Sequence, residues 1–380
     1  MRAVRERSQL SPDALARRSH ITVEELHRIE DGVAPGSTTT WQQLAAALEL
    51  DPWALLDGVE QPRPGSRIFL RHRAWQDFSP EDEAPLRRAL DAGRTLRRLA
   101  EASSPGDAGH LRQQFSPMAA PRDIPGPAAR PPAATDGYRR ASGVRGVLAR
   151  PPVRLAPDAA VSALCALVEE HFDIAVLVFP LASPGASATS IRDTEGAATI
   201  VLNARAAEGL SPLLARVHLA HELCHLLFDP GEAGVQLVLD RDDLGGSAAE
   251  QRARAFAAEF LLPLAGLRRV LGAPRAVASR EQAQALVDLA RHEFFTPWKI
   301  TAFHLVNRGF VARSLEAWLP DAPPPSAPPS PLEELPASDA PSRGLLARLR
   351  QAWERNDLTD GQVKVALEIP VDEPLPAAFR

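Results

Sequence analysis

Along the first 58 residues, apolar side chains recur at the three- and four-residue steps of short helices broken by tight joints. Leu10-Ser11-Pro12-Asp13-Ala14-Leu15-Ala16-Arg17-Arg18 offers Ser11 as an N-cap and Pro12 at the first helical position. Ile21 to Gly32 opens with Thr22 as cap, carries Glu25 three residues on as a capping box, and stops at a glycine. Two helices joined by a turn of roughly three to four residues make a helix-turn-helix unit. Trp41–Leu50 and Pro52–Leu56 supply two more short helices to close its core. Met1 falls inside what the pattern makes the first helix, so a start codon upstream is an expectation.

The pattern then thins. Pro80 to Ala102 reads as a helix with Leu86, Leu90, Leu96 and Leu99 as its apolar stripe, and 103–136 is a Pro/Ala/Gly-rich stretch expected to be a disordered linker. At Ile174–Phe179 and Ala197–Asn203 the pattern changes to short, continuous apolar runs, read as buried strands with a turn-rich hairpin between them. Helices are expected around them at Asp158–His171, Ser211–Phe228, Ser247–Leu262, Ser279–Phe294 and Pro297–Asn307. A small sheet with helices following it is an α+β arrangement. The expected division is 1–58 helix-turn-helix domain, 59–102 helical connector, 103–152 Pro/Ala-rich linker, 153–315 main compact domain, 316–342 Pro-rich linker and 343–380 C-terminal helical segment. That last pair of helices either docks back on the main domain or holds a partner.

Composition narrows the class. The 380 residues carry a formal net charge of −5. No apolar run approaches the roughly 18 residues of a membrane span. Met1-Arg2-Ala3-Val4-Arg5-Glu6-Arg7 lacks the apolar core of a signal peptide. A soluble, cytoplasmic protein with no membrane partner is expected. Cys165 and Cys224 give no disulfide framework, which fits a reducing compartment. Lys299 and Lys364 are the only lysines, a bias ascribed to base composition. The basic run Arg63, Arg67, Arg71 and Arg73 reads first as a solvated face.

The chemistry concentrates in Ala220-His221-Glu222-Leu223-Cys224-His225. His221 and His225 are four apart, so on a helix their imidazoles share one face and can bind one metal ion. Glu222 sits next to the first of them, where a carboxylate can take a proton from the water a metal activates. The bland alternative is a helix with two surface histidines. A catalytic zinc needs three protein ligands. The extended His-x-x-Gly-x-x-His form is absent, because Phe228 and Gly231 occupy its last two places. Glu250 lies on the apolar stripe of the next helix with Ala253, Phe256, Ala257, Phe260 and Leu261, and an inward carboxylate is costly unless paired. Glu259, nine positions on, falls on the opposite, solvated side. Asp240, Asp242 and Asp243 are the runner-up ligands. For an oxyanion, the metal, His304, His292 and His218 are candidates, with a packed helix histidine the competing reading of His304. Cys224 reads as a small core residue.

Two resemblances follow from these residues. Leu15-Ala16, Ile21, Leu26, Arg28-Ile29-Glu30-Asp31-Gly32 and Leu44-Ala45 to Trp53 resemble the helix-turn-helix domains of the XRE, lambda repressor-like, family. The resemblance implies that the second helix enters a major groove, with Thr22, Glu25, His27 and Arg28 as DNA-binding positions. Six arginines against nine acids give residues 1–58 a net of −3, and Glu24 and Glu25 sit near the start of the reading helix. A DNA reader usually has a basic face, so protein docking stands beside DNA binding. The H-E-x-x-H and Glu-x-x-Ala-x-x-Phe-Ala-Ala-x-x-Leu-x-Pro at 250–263 resemble the ImmA/IrrE metallo-endopeptidases. So do Phe294–Gly309 and Leu345–Leu367.

That second resemblance implies a zincin-like metallopeptidase domain in a multidomain chain whose N-terminal domain is all-α. It makes His221, His225 and Glu250 the metal ligands and Glu222 the general base, and puts His304 near the site. Arg254 stands where the family usually has Asn. The implied activity is a zinc endopeptidase, with manganese also accepted by the ligand set, cleaving an XRE-type repressor or controlling its own N-terminal half. Operator DNA and a homodimer are further partners. The rival readings are a transcription regulator whose metal domain is a sensor or dimerisation platform with little turnover, and a partner-binding protein whose N-terminal unit docks protein.

Overall fold

The computed structural model describes residues 1–7, 10–34, 36–48, 50, 55, 80–103, 133–148, 160–183, 186–193, 196–206, 210–229, 236–239, 248–329, 343–367, 369–370 and 372–379. The basic run at 63–73, the ligand alternatives Asp240, Asp242 and Asp243, and all of the helix read at Pro52–Leu56 except Leu55 lie outside these residues.

Among the described residues the N-terminal unit contains the helices α1 (Arg2–Arg7), α2 (Pro12–Arg18), α3 (Val23–Glu30) and α4 (Thr38–Ala47). Ser11 caps α2 by accepting from Ala14 N, with Pro12 at its start, as its sequence requires. Thr22 caps α3 by accepting from Glu25 N at 3.1 Å. The other half of the expected capping box is spent elsewhere, because Glu25 Oε1 accepts from the Thr40 hydroxyl at 2.9 Å and so ties α3 to α4. Arg5 forks onto Glu30, 2.8 Å from Nε and 3.1 Å from Nη2, and fastens α1 to α3. Leu15, Ala16, Leu26, Ile29, Leu44 and Leu48 fill the core beneath.

The second unit is organised on a mixed sheet of β1 (Ile174–Phe179), β2 (Ala188–Arg192), β3 (Ala198–Asn203) and β4 (Gln236–Leu239), in the order β1-β3-β2-β4. β1 runs parallel to β3, while β2 is antiparallel to both β3 and β4. The expected hairpin is therefore β2–β3, and β4 is an edge strand in what read as loop. Successive strand side chains face opposite sides. Val176, Val178, Ile200 and Leu202 pack toward α6 (Ala133–Leu148), α7 (Val161–Phe172), α8 (Pro212–Phe228) and α9 (Ala248–Leu261). Leu177, Phe179, Ile191 and Val201 face the other way, onto Leu86, Ala89 and Leu90 of α5 (Glu83–Ser103).

Both faces of the sheet are thus covered, which is why β1 and β3 read as unbroken apolar runs. It also corrects two expectations. The helix over 83–103 is no connector but the second cover of the sheet, pinned by Thr199 Oγ1 donating to Ala89 O at 2.7 Å. The stretch read as linker to residue 152 holds α6, whose Gly137 lies where a Cβ would meet Arg252 O of α9 at 2.3 Å. Its weak apolar stripe hid it: Gly137, Ala141 and Val144 are small buried residues suited to close helix packing.

Three more helices, α10 (Leu264–Leu271), α11 (Arg280–Phe294) and α12 (Trp298–Asn307), form a separate apolar cluster beyond α9. The C-terminal pair, α13 (Arg343–Glu354) and α14 (Asp360–Ala366), docks back. Leu345, Leu349 and Val363 pack on Leu96, Leu99 and Ala175. Gly344 N donates to the buried Glu169 carboxylate at 2.8 Å, and Arg348 reaches Asp173 at 2.6 Å. Glu169 also accepts from Val176 N of the edge strand β1, at 3.1 Å, so one carboxylate serves both a sheet edge and a helix N-terminus. Among the described residues no helix is long and apolar enough to cross a membrane.

Candidate metal centre

Helix α8 starts where Ser211 caps Leu214 N and Pro212 takes the first position, and residues 219–228 along it are all buried. Such a helix has no solvated face, so polar side chains on it need partners inside. His221 and His225 provide the test. Their Nε2 atoms are 3.0 Å apart, and both face Glu250 in the first turn of α9, at 3.2 Å from His221 and 3.3 Å from His225. All three residues are buried, and one ligand atom from each lies within 4.8 Å of the others.

These separations suit a metal. Donors placed tetrahedrally at roughly 2.0–2.1 Å from an ion are about 3.3–3.4 Å apart, close to the spacing here. Charge agrees with geometry. Burial works against a charged His225, but hydrogen bonds to Asp229 and Glu250, with the charge of Glu222 nearby, outweigh it and raise the imidazole to about 10. Burial also disfavours an ionised Glu250, and the two imidazoles reverse this and hold its carboxyl well below the usual carboxylate range. The cluster favours positive charge at its centre, and two imidazoles with one carboxylate accept zinc or manganese.

Glu222 is fully buried beside His221 on α8. Cys224 is buried too, and burial pushes its thiol well up, so it stays a protonated core residue. Two residues that sequence reasoning passed over complete the surroundings. Asp229 closes α8 and places Oδ2 2.5 Å from His225 Nδ1. Its other oxygen accepts from Arg252 Nη2 of α9. Burial resists ionisation of Asp229, while His225 and Arg252 together hold its carboxyl below the usual value. Its signal was present in the sequence, an acid one turn beyond the second histidine. Arg254, where the resemblance led to an expected Asn, is exposed.

The expected solvated face of Glu259 is not found. Its carboxylate is buried, 3% exposed on its side chain, with Arg308 of the α12 C-terminus paired to it. It also accepts from Leu264 N at 3.1 Å and from the Ser142 hydroxyl of α6 at 3.3 Å. Helices α6 and α12 cover a side of α9 that a lone helix would leave to water. His304 belongs to this second cluster: its Nε2 is 2.9 Å from Leu262 O and 3.4 Å from Glu259, and its ring meets Tyr138 edge-on. Nine residues of helix, about 13.5 Å of rise, separate Glu259 from Glu250. His292 is on α11, bonded to Ser326, and His218 is half-buried on α8. Of the four positions proposed to face DNA, Thr22 and Glu25 are engaged within the unit as described, and His27 and Arg28 are exposed on α3.

Residues 169–284 match the sequence profile of the IrrE N-terminal-like domain, peptidase family M78. Residues 1–56 match that of a helix-turn-helix domain. No curated protein matches the chain. The peptidase match begins within α7 and ends within α11, so it contains the sheet and both donor-bearing helices, while α5, α6, α13 and α14 lie outside it.

Proposed function

From a chain that carries a metallopeptidase-like M78 domain behind a helix-turn-helix domain, we propose a zinc-dependent, site-specific endopeptidase that regulates transcription by cleaving an XRE-type repressor or by acting on its own N-terminal half. The observation that carries this reading is the convergence of His221, His225 and Glu250 from two helices into one buried donor set. Those three would hold the ion, with manganese the alternative to zinc. When bound, the ion polarises the scissile carbonyl and makes a water acidic enough to attack it.

The chain's own groups do the rest. Glu222 takes the proton of the attacking water and hands it to the leaving amine, acting first as base and then as acid. With the ion bound, Asp229 would hold His225 in the tautomer that carries its proton on Nδ1 and frees the Nε2 lone pair. In the N-terminal unit, α3 would read operator DNA through His27 and Arg28. Glu30 at the end of α3 pairs with Arg5, and Asp31 just beyond it with Arg2, so these two acids are engaged within the unit while its net charge stays at −3.

The test is metal content and cleavage measured together on wild type, His221→Ala, Glu250→Ala and Glu222→Gln, with co-expressed XRE-type repressors and the chain itself as substrates. We expect metal to be lost in the first two variants and kept in Glu222→Gln, with cleavage in the latter down about 10²- to 10⁴-fold. Wild type that binds metal but cleaves nothing, while still binding operator DNA, would favour a regulator whose metal domain is a sensor.

A further inference from the structure

We propose that Asp229 is the positioning residue for His225 and that Arg252 positions Asp229, so that a two-residue brace ties the two donor-bearing helices together from outside the metal cluster. The proposal rests on the metal-site reading above.

The argument starts from the two nitrogens of His225. Nε2 faces Glu250 at 3.3 Å, so the only way left to hold the ring is through Nδ1. Asp229 does this at 2.5 Å, from the residue that ends α8. Its extended backbone, ψ 133°, turns the chain off the helix there. A carboxylate on the far nitrogen fixes both the tautomer and the ring plane of a ligating histidine. It also places charge in a buried setting, and the Arg252 guanidinium on its other oxygen compensates that charge.

Arg252 stands two residues after Glu250 on α9. His225, Asp229, Arg252 and Glu250 therefore close a ring that runs from α8 to α9 and back to the donors. Two further contacts keep the brace in register. Arg192 of β2 donates to Leu226 O and, at 3.4 Å, to Asp229 O, holding the end of α8. Gly137 of α6 packs against the Arg252 carbonyl, leaving no room for a Cβ. An Asp that merely ended a helix would need neither arginine.

The experiment compares zinc affinity, by competition with a chromophoric chelator, in full-length wild type, Asp229→Asn, Arg252→Gln and the double variant. It also records the visible spectrum of each after cobalt substitution and the melting of each metal-free protein. We expect Asp229→Asn to weaken zinc binding about 10- to 100-fold and to shift the cobalt bands. Arg252→Gln should weaken binding less, and the double variant no more than Asp229→Asn alone, because Arg252 acts through Asp229. If Asp229→Asn does not fold, Arg252→Gln carries the test by the same two readouts. Unchanged affinity and cobalt spectrum in the folded variants, or strictly additive losses in the double variant, would overturn the brace. Wild type that fails to bind zinc would instead sink the metal-site reading on which it stands.

Discussion

Helix α9 carries two buried glutamates that differ in one respect. Glu250 and Glu259 are 5% and 3% exposed, sit on opposite sides of the same helix, and each has imidazole nitrogen within 3.4 Å. Glu259 is balanced by Arg308, a backbone N–H and a hydroxyl, all fixed donors that satisfy the carboxylate where it stands. Glu250 faces the Nε2 atoms of two histidines, each of which has a lone pair to give once its proton is elsewhere. A carboxylate closed off by arginine is a lock between helices. One gathered with imidazoles at ligand spacing is a binding site.

The sharpest way to break that comparison is to remove each carboxylate in turn. Glu250→Ala should abolish metal retention, read by metal analysis of the purified protein. Glu259→Ala should leave metal content intact and cost about 1–3 kcal/mol of stability, because it leaves the partly buried Arg308 and the Leu264 N–H without their acceptor; chemical denaturation measures it. If Glu259→Ala loses the metal while the protein remains folded, the two clusters are not separate and the distinction drawn between them fails.

The same pair shows what a linear reading can reach. Helical periodicity placed Glu250 inward correctly, because Ala253, Phe256, Ala257, Phe260 and Leu261 mark a clear buried stripe along α9. It put Glu259 in water because the helices that bury it come from far along the chain, Ser142 of α6 from what read as a Pro/Ala-rich linker and Arg308 from the end of α12. α5 was legible as a helix through Leu86, Leu90, Leu96 and Leu99, yet its role as second cover of the sheet was not. Nothing in a sequence says which face of a strand a distant helix will take. The strands β1 and β3 held the clue, since an unbroken apolar run means that both faces are covered. Asp229 carried a signal in its spacing, one turn beyond His225, whereas Arg252, two residues after Glu250 and so on another side of the helix, carried none. What was missing was the turn that brings them together.

A third buried carboxylate extends the comparison with a smaller effect. The oxygens of Glu169 accept backbone N–H groups from β1 and from the start of α13. It serves as a cap for both, so its position between them should be sensitive to shape. Gly344→Ala places a Cβ 2.5 Å from its Oε2 and is expected to cost about 1–3 kcal/mol through crowding. Limited proteolysis should then release α13 and α14 earlier than in wild type. Unchanged proteolysis would mean that the C-terminal pair is not held through this contact.

The mildest test uses pH, and it should separate the clusters by sign. Burial raises the Glu259 carboxyl, but the hydrogen bonds to His304, Leu264 N–H and Arg308 prevail and hold it below its ordinary value of 4.5. A group with a depressed folded value contributes stability that is complete above the unfolded value and lost as pH falls through the folded one. Glu259 therefore supports the acid limb. In metal-free protein His225 is raised from 6.5 to about 10. Its contribution is complete below about 6.5 and fades as pH climbs toward 10, so it governs the alkaline limb. Denaturation of metal-free samples across pH should show Glu259→Gln flattening only the acid side, short of abolishing it because Glu250 and Asp229 are depressed as well. His225→Gln should flatten the alkaline side and, because His225 helps to hold Glu250 and Asp229 down, part of the acid side as well. If Glu259→Gln altered the alkaline limb as much as the acid one, the two clusters would titrate as one, against the separation that nine residues of helix impose.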